Sequence, residues 1–416
     1  MKAIKIFIML LVIAFISVSA YAVDIDILHS FSNDTDNGKS PRFSDLVLSG
    51  SSLYGTTQYG GANNKGTIFS VGVDGNGFVL LHSFALDNSE GNDLQGGLVL
   101  SGDTLFGMSR LGGANSRGTI YSVDTSGNNF SVLRSFVGNP TGSENPWGGM
   151  IVSGTTLIGM TYSGGSVDDG TVFSIGTDGN GYALLHSLND ASGEGINPYG
   201  ELLLDGDRFY GMASDENLGG PGKVFSIGTD GTGYSELHAF AGGSADGDYP
   251  TGSLILSGGL LYGMATGLTG GTSGVIFQVE ANGDNYTVMH IFEGGAVDGS
   301  TPYGDLTLVD SVLYGMTNLG GASNEGTVFS IAVDGQDFTL LHSFEGNPAD
   351  GENPMGSLTY SAGDETFYGM TYQGGANDVG AVFSFSMGAE VPEPSTLLLL
   401  IPLLGGLYWM RKRREK

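Results

Sequence analysis

The sequence predicts an all-β fold: a seven-bladed β-propeller of four-stranded antiparallel blades, its ring closed by the N-terminal strand. Three observations carry this expectation. A Gly that follows an aromatic or aliphatic residue recurs at Gly55, Gly107, Gly159, Gly211, Gly263, Gly315 and Gly369, at intervals of 52 residues and, in the last step, 54. Periods of this size belong to propellers and solenoids. Each copy carries short segments rich in β-branched and aromatic residues, bounded by Gly, Asn and Asp and lacking a helical period. The fourth segment also appears once before the first full copy, as Leu28-His29-Ser30-Phe31. It is missing after the last copy, which stops after Gly380-Ala381-Val382-Phe383-Ser384-Phe385.

The copy at 304–344 shows the elements in order. Asp305-Leu306-Thr307-Leu308-Val309 is a short apolar strand closed by Asp310-Ser311. Val312-Leu313-Tyr314-Gly315-Met316-Thr317 is the second strand, and a loop with Gly320-Gly321 leads to the third, Gly326-Thr327-Val328-Phe329-Ser330-Ile331. Asp334-Gly335 turns the chain into Phe338-Thr339-Leu340-Leu341-His342-Ser343-Phe344, because Asp-Gly tolerates positive φ at the centre of a tight hairpin. Four antiparallel strands per repeat make a propeller blade. The surplus strand at the start fits the vacancy at the end, which closes the ring and removes exposed sheet edges. A right-handed solenoid has shorter coils and needs no such exchange.

The repeat, with Leu-Tyr-Gly-Met-Thr, Gly-Gly-Ala, Gly-Thr-Val-Phe-Ser and Leu-Leu-His-Ser-Phe, resembles the GloVer-type tandem repeat of bacterial surface proteins over residues 24–387. Its strand and turn order is broadly similar to Kelch propellers. The resemblance implies a surface repeat protein and assigns no chemistry.

The two ends read differently. Residues 1–22 carry Lys2 and Lys5, an apolar run and Ala20-Tyr21-Ala22, the pattern of a secretory signal peptide, so the propeller should occupy 23–387. Residues 388–396 form a linker with Pro392-Glu393-Pro394, residues 397–410 are apolar, and 411–416 are basic, with Arg411, Arg413 and Arg414. The apolar run is short for a bilayer crossing of about 20 residues, and the basic end would remain cytoplasmic. This ending resembles the PEP-CTERM sorting signal. That resemblance implies processing by an exosortase, in a Gram-negative bacterium that makes exopolysaccharide. An uncleaved C-terminal anchor is the alternative.

Between the ends, residues 23–394 hold eight Lys and Arg against 43 Asp and Glu, and the chain has no Cys. Such a surface disfavours nucleic acid and anionic lipid and attracts cations, and the exported fold must hold without disulfides. All six histidines, His29, His82, His186, His238, His290 and His342, occupy the fourth-strand position, with Arg134 in the seventh. One per blade, they cannot share a metal or form a base–nucleophile pair, so an architectural role is expected.

Function is expected on the face that carries the long second-to-third and fourth-to-first loops. The latter share an acidic-Gly-x-x-Pro pattern at Asp246, Asp298 and Asp350, which suits either a local Asx turn or a Ca²⁺ ligand set. The residue after each proline varies: Arg42, Trp147, Tyr199, Thr251, Tyr303 and Met355, with Gln95 where proline is absent. It precedes the innermost strand and belongs near the channel mouth. Trp147, Tyr199 and Tyr303 offer flat faces for a sugar or serve as loop packing. The sequence thus points to an envelope-held binding or matrix module. A glycosidase or polysaccharide lyase on the same scaffold and a purely structural surface protein are the alternatives. Catalytic acids would be expected to break the repeat, and no such outlier stands out.

Overall fold

The computed structural model describes residues 23–138, 142–215, 220–267, 273–346, 348 and 350–387. The segment read as a signal peptide, the Pro-Glu-Pro segment, the apolar run and the basic tail lie outside these residues. The chain divides into two compact units, 1–385 and 386–416; of the second, only Ser386 and Met387 are described.

The first unit is a seven-bladed propeller. Blade one consists of Val47–Ser49, Ser52–Thr57, Thr67–Gly72 and Val79–Ser83, paired in chain order from the axis outward. Five more blades repeat this order. Blade seven has Thr359–Ser361, Thr366–Thr371 and Ala381–Ser386, and its fourth strand is Asp26–Ser30 from the other end of the chain. There Asp26 lies opposite Ser384, and Ser30 opposite Ala381. The N-terminal strand therefore closes the ring, as the surplus motif predicted.

The recurrent Gly of the second strand is a packing requirement. A Cβ on Gly159 would lie 2.8 Å from the Phe173 ring, and one on Gly107 would lie 2.4 Å from the Tyr121 hydroxyl. Each blade thus seats the aromatic of its third strand against bare backbone. Apolar side chains of neighbouring blades then merge into shared cores. One such core unites Tyr54, Ile68 and Phe84 of blade one with Leu105, Tyr121 and Val123 of blade two. Burying such side chains contributes about 1.5–3 kcal/mol each, which supplies cohesion without disulfides.

The histidines join blade to blade. In every blade the pairing of third and fourth strands slips by one residue, as between Val172/His186 and Phe173/Leu184. Such a bulge re-aims the neighbouring side chain. His82 stacks on Phe130 of the next blade at 3.7 Å, His238 on Tyr286 at 3.5 Å and His290 on Phe338 at 3.7 Å. At the seventh place, Arg134 lies 3.4 Å over Tyr182, a cation–π contact in the same position.

Candidate functional site

The long-loop face is more ordered than free loops would be. Four short ribbons pin a fourth-to-first connection to the second-to-third loop of the next blade: Gly38–Lys39 with Tyr59–Gly60, Ser143–Glu144 with Ser163–Gly164, Gly299–Ser300 with Leu319–Gly320, and Gly351–Glu352 with Gln373–Gly374.

The acids once open to a calcium reading have other partners. Asp246 pairs with His238 at 2.8 Å and accepts from the Ala241 amide. Asp298 pairs with His290 at 3.2 Å and accepts from the amides of Glu293 at 2.8 Å and Gly299 at 2.7 Å. Asp350 pairs with His342 at 2.6 Å and accepts from Glu345 at 3.0 Å and Gly346 at 3.1 Å. These oxygens face N–H donors, which a cation would have to displace. Asp246, Asp298 and Asp350 also sit one per blade, and among the described residues no group of three His, Cys, Asp or Glu side chains is arranged to hold a metal ion. They act as latches that tie each loop to its own histidine.

At the axis, the aromatic residues come together. Trp147 lies 4.9 Å from Tyr199 and 6.1 Å from Phe43, and Phe43 lies 5.4 Å from Tyr303. Four rings from blades one, three, four and six thus lean over the channel as one continuous arc, rather than forming separate stations around the ring. Phe43 corrects the sequence alignment of the first copy. One additional residue separates Pro41 from Leu46 compared with Pro354 to Leu358, so Phe43 takes the mouth position assigned to Arg42. Arg42 instead rests over the Phe43 ring at 4.9 Å, and Arg110 rests over Trp147 at 4.6 Å while pairing with Asp93 at 2.6 Å.

Beneath the arc is a cavity of about 40 Å³ whose walls include Asp45, Glu201 and Asp305. The two residues following each mouth residue are Ser44-Asp45, Gly96-Gly97, Gly148-Gly149, Gly200-Glu201, Gly252-Ser253, Gly304-Asp305 and Gly356-Ser357. The second of each pair turns towards the axis, and five of them are linked in series by four hydrogen bonds. The Glu201 amide donates to Ser253 Oγ at 2.8 Å, the Ser253 amide to Asp305 Oδ1 at 2.5 Å, the Asp305 amide to Ser357 Oγ at 2.7 Å, and the Ser357 amide to Asp45 Oδ1 at 2.7 Å. Opposite this chain are two bare positions. A Cβ on Gly149 would fall 1.8 Å from Glu201 Oε1, so the long Glu201 side chain lies in the space that Gly149 leaves.

The three carboxylates are half-buried, and the solvent that they touch is that of the narrow lumen. Burial, and then the nearby charge of Asp305, push the Asp45 carboxyl up to about 7. Burial raises Glu201 well above the usual carboxylate range, with Asp45 and Asp305 adding to the effect. Asp305 is raised by burial, opposed by its hydrogen bonds with Ser253 and Ser357. This acidic floor was missed in the sequence, although its signal was present: the axial position is where the copies stop repeating.

The Gloeobacter/Verrucomicrobia repeat family matches residues 15–166, 139–312 and 269–392. No curated protein shows a sequence match. Among solved structures, an oligogalacturonate lyase in complex with manganese superposes with a TM-score of 0.53 at 11% identity, over 88% of this chain and 96% of that one. The GH74 xyloglucanase from Xanthomonas campestris superposes at 0.55 with 12% identity, over 84% of this chain and 53% of that one. At such identities the likeness concerns the propeller fold alone. The family match runs through every blade, and the chain belongs to the Gloeobacter/Verrucomicrobia repeat family.

Proposed function

We propose that the protein is an exported, envelope-held binding module that retains extracellular polysaccharide at the mouth of its propeller. A repeat family and a propeller fold suit a surface or binding module. The observation that carries the finer reading is the arc of Phe43, Trp147, Tyr199 and Tyr303 over an axial cavity. Aromatic faces with polar edges suit sugar rings, and the arc lies on the face that the loop ribbons hold in place. The Pro392-Glu393-Pro394 motif and the basic end support export and retention at the envelope through an exosortase.

The test is retention of the host exopolysaccharide by the purified protein. Changing Trp147, Tyr199 and Tyr303 together to Ala should reduce retention at least ten-fold, while the far-ultraviolet spectrum and cooperative melting persist. Retention equal to the parent's would make the arc a packing feature and move the binding site elsewhere. Release of shortened saccharides by the parent would replace binding with catalysis.

A further inference from the structure

We propose that the axial cavity is a receptor for a primary ammonium group, supplied by an amino sugar or an alkyl amine. This rests on the mouth being a binding site and names the chemistry of its deepest contact.

Size restricts the occupant first. A cavity of about 40 Å³ holds roughly three water-sized groups, so a hexose ring does not enter, whereas an –NH₃⁺ head is water-sized and does. Charge restricts it next. The walls present Asp45, Glu201 and Asp305, and the other axial positions are Gly97, Gly149, Ser253 and Ser357, so no cationic side chain stands among the axial residues. Asp45 and Asp305 are committed to backbone amides. Glu201 is different: its amide donates to Ser253, but its carboxylate has no hydrogen-bond partner among the described residues, and its Oε1 lies against Gly149 in the cavity wall. Half-buried and without a protein donor, this carboxylate is left to the few waters of the narrow lumen. An ammonium supplies three donors and would satisfy it.

Two further features separate an ammonium from a metal ion. Among the described residues the acids do not converge as a metal cluster, whereas an ammonium needs only one or two carboxylate oxygens plus an aromatic face. The arc already receives cations: the guanidiniums of Arg42 and Arg110 rest on Phe43 and Trp147. Arg110 is neutralised by Asp93. A stem bearing the amine, sugar ring or alkyl chain, would therefore pack among the rings while its head reaches the acids.

Isothermal titration calorimetry on the full chain at pH 7.5 and low salt tests this. The probes are a glucosamine oligomer, the same oligomer fully N-acetylated, and cadaverine. The expected result is binding of the glucosamine oligomer at least ten-fold tighter than its acetylated form, with Glu201→Gln erasing that preference and leaving the melting temperature the same or higher. Tighter binding of cadaverine than of the glucosamine oligomer would assign the alkyl amine as the source and still support the receptor. Equal binding of the free and acetylated oligomers, or a Glu201→Gln variant that keeps the preference, overturns the proposal. If neither oligomer nor cadaverine binds while Trp147, Tyr199 and Tyr303 still govern exopolysaccharide retention, the ammonium receptor fails and the aromatic mouth stands.

Discussion

At the scale of single residues, the axial acids set a pH dependence with a definite sign. Asp45 is raised from the ordinary carboxylate value to about 7, so between those limits the folded state binds more protons than the unfolded one. Stability from this group is full below about pH 4, falls as pH rises towards 7, and is flat above. Burial lowers His29 and His82, and there the slope reverses: stability is full above about pH 6.5 and is lost as pH falls through the depressed value. Asp45→Asn keeps an acceptor for the Ser357 amide and removes the charge. It should gain about 1–2 kcal/mol at pH 8, read as a rise of at least ~2 °C in Tm, and nothing at pH 4. An equal shift at both pH values would mean that Asp45 is not held protonated by its surroundings. Gly159→Ala tests packing in the same way. Its Cβ would meet the Phe173 ring at 2.8 Å, so a loss of about 1–3 kcal/mol is expected in urea unfolding.

At the scale of elements, the blade is held by its fourth strand and by the loop that follows it. Asp246 joins His238 to the loop backbone, and His238 in turn stacks on Tyr286 of the next blade. Asp246→Ala should therefore cost about 1–3 kcal/mol, because it leaves a ring nitrogen and an amide without their acceptor. A change within 0.5 kcal/mol would show that solvent replaces the latch without loss. The N-terminal strand is the stronger case. Removing Asp24 through Phe31 deletes the strand paired with Ala381–Ser386 and the fully buried Phe31. The exposed edge of blade seven should then drive aggregation, measured by light scattering and loss of a cooperative melt. A truncated protein that melts like the parent would refute closure.

At the scale of the whole molecule, the propeller gathers residues distant in sequence around one axis. Phe43 and Tyr303 touch across an interval of more than half the chain, and Ser357 donates to Asp45. The loops on one face and the acids beneath them thus form a single axial site. Location belongs to this scale as well. Replacing Pro392-Glu393-Pro394 with alanines should leave unprocessed protein in the inner membrane of the host, seen by fractionation and mass; normal processing would favour a plain anchor.

The repeat period, the strand count and the surplus first strand determined the blade number and the manner of closure, because both follow from what each copy must bury and from which edge is left unpaired. The place of Trp147, Tyr199 and Tyr303 at the channel mouth was legible as well, since they vary at a fixed place in a regular frame. Register in the first copy was not: the additional residue between Pro41 and Leu46 is accommodated by a positive φ of 49° at Phe43, which only folded backbone reveals. Nor was the acidic floor, for Asp45, Glu201 and Asp305 stand 156 and 104 residues apart and read singly as ordinary surface acids. Their meeting depends on seven innermost strands converging on one axis. Glu201 reaches the cavity because Gly149, one blade away, has no side chain to occupy that space.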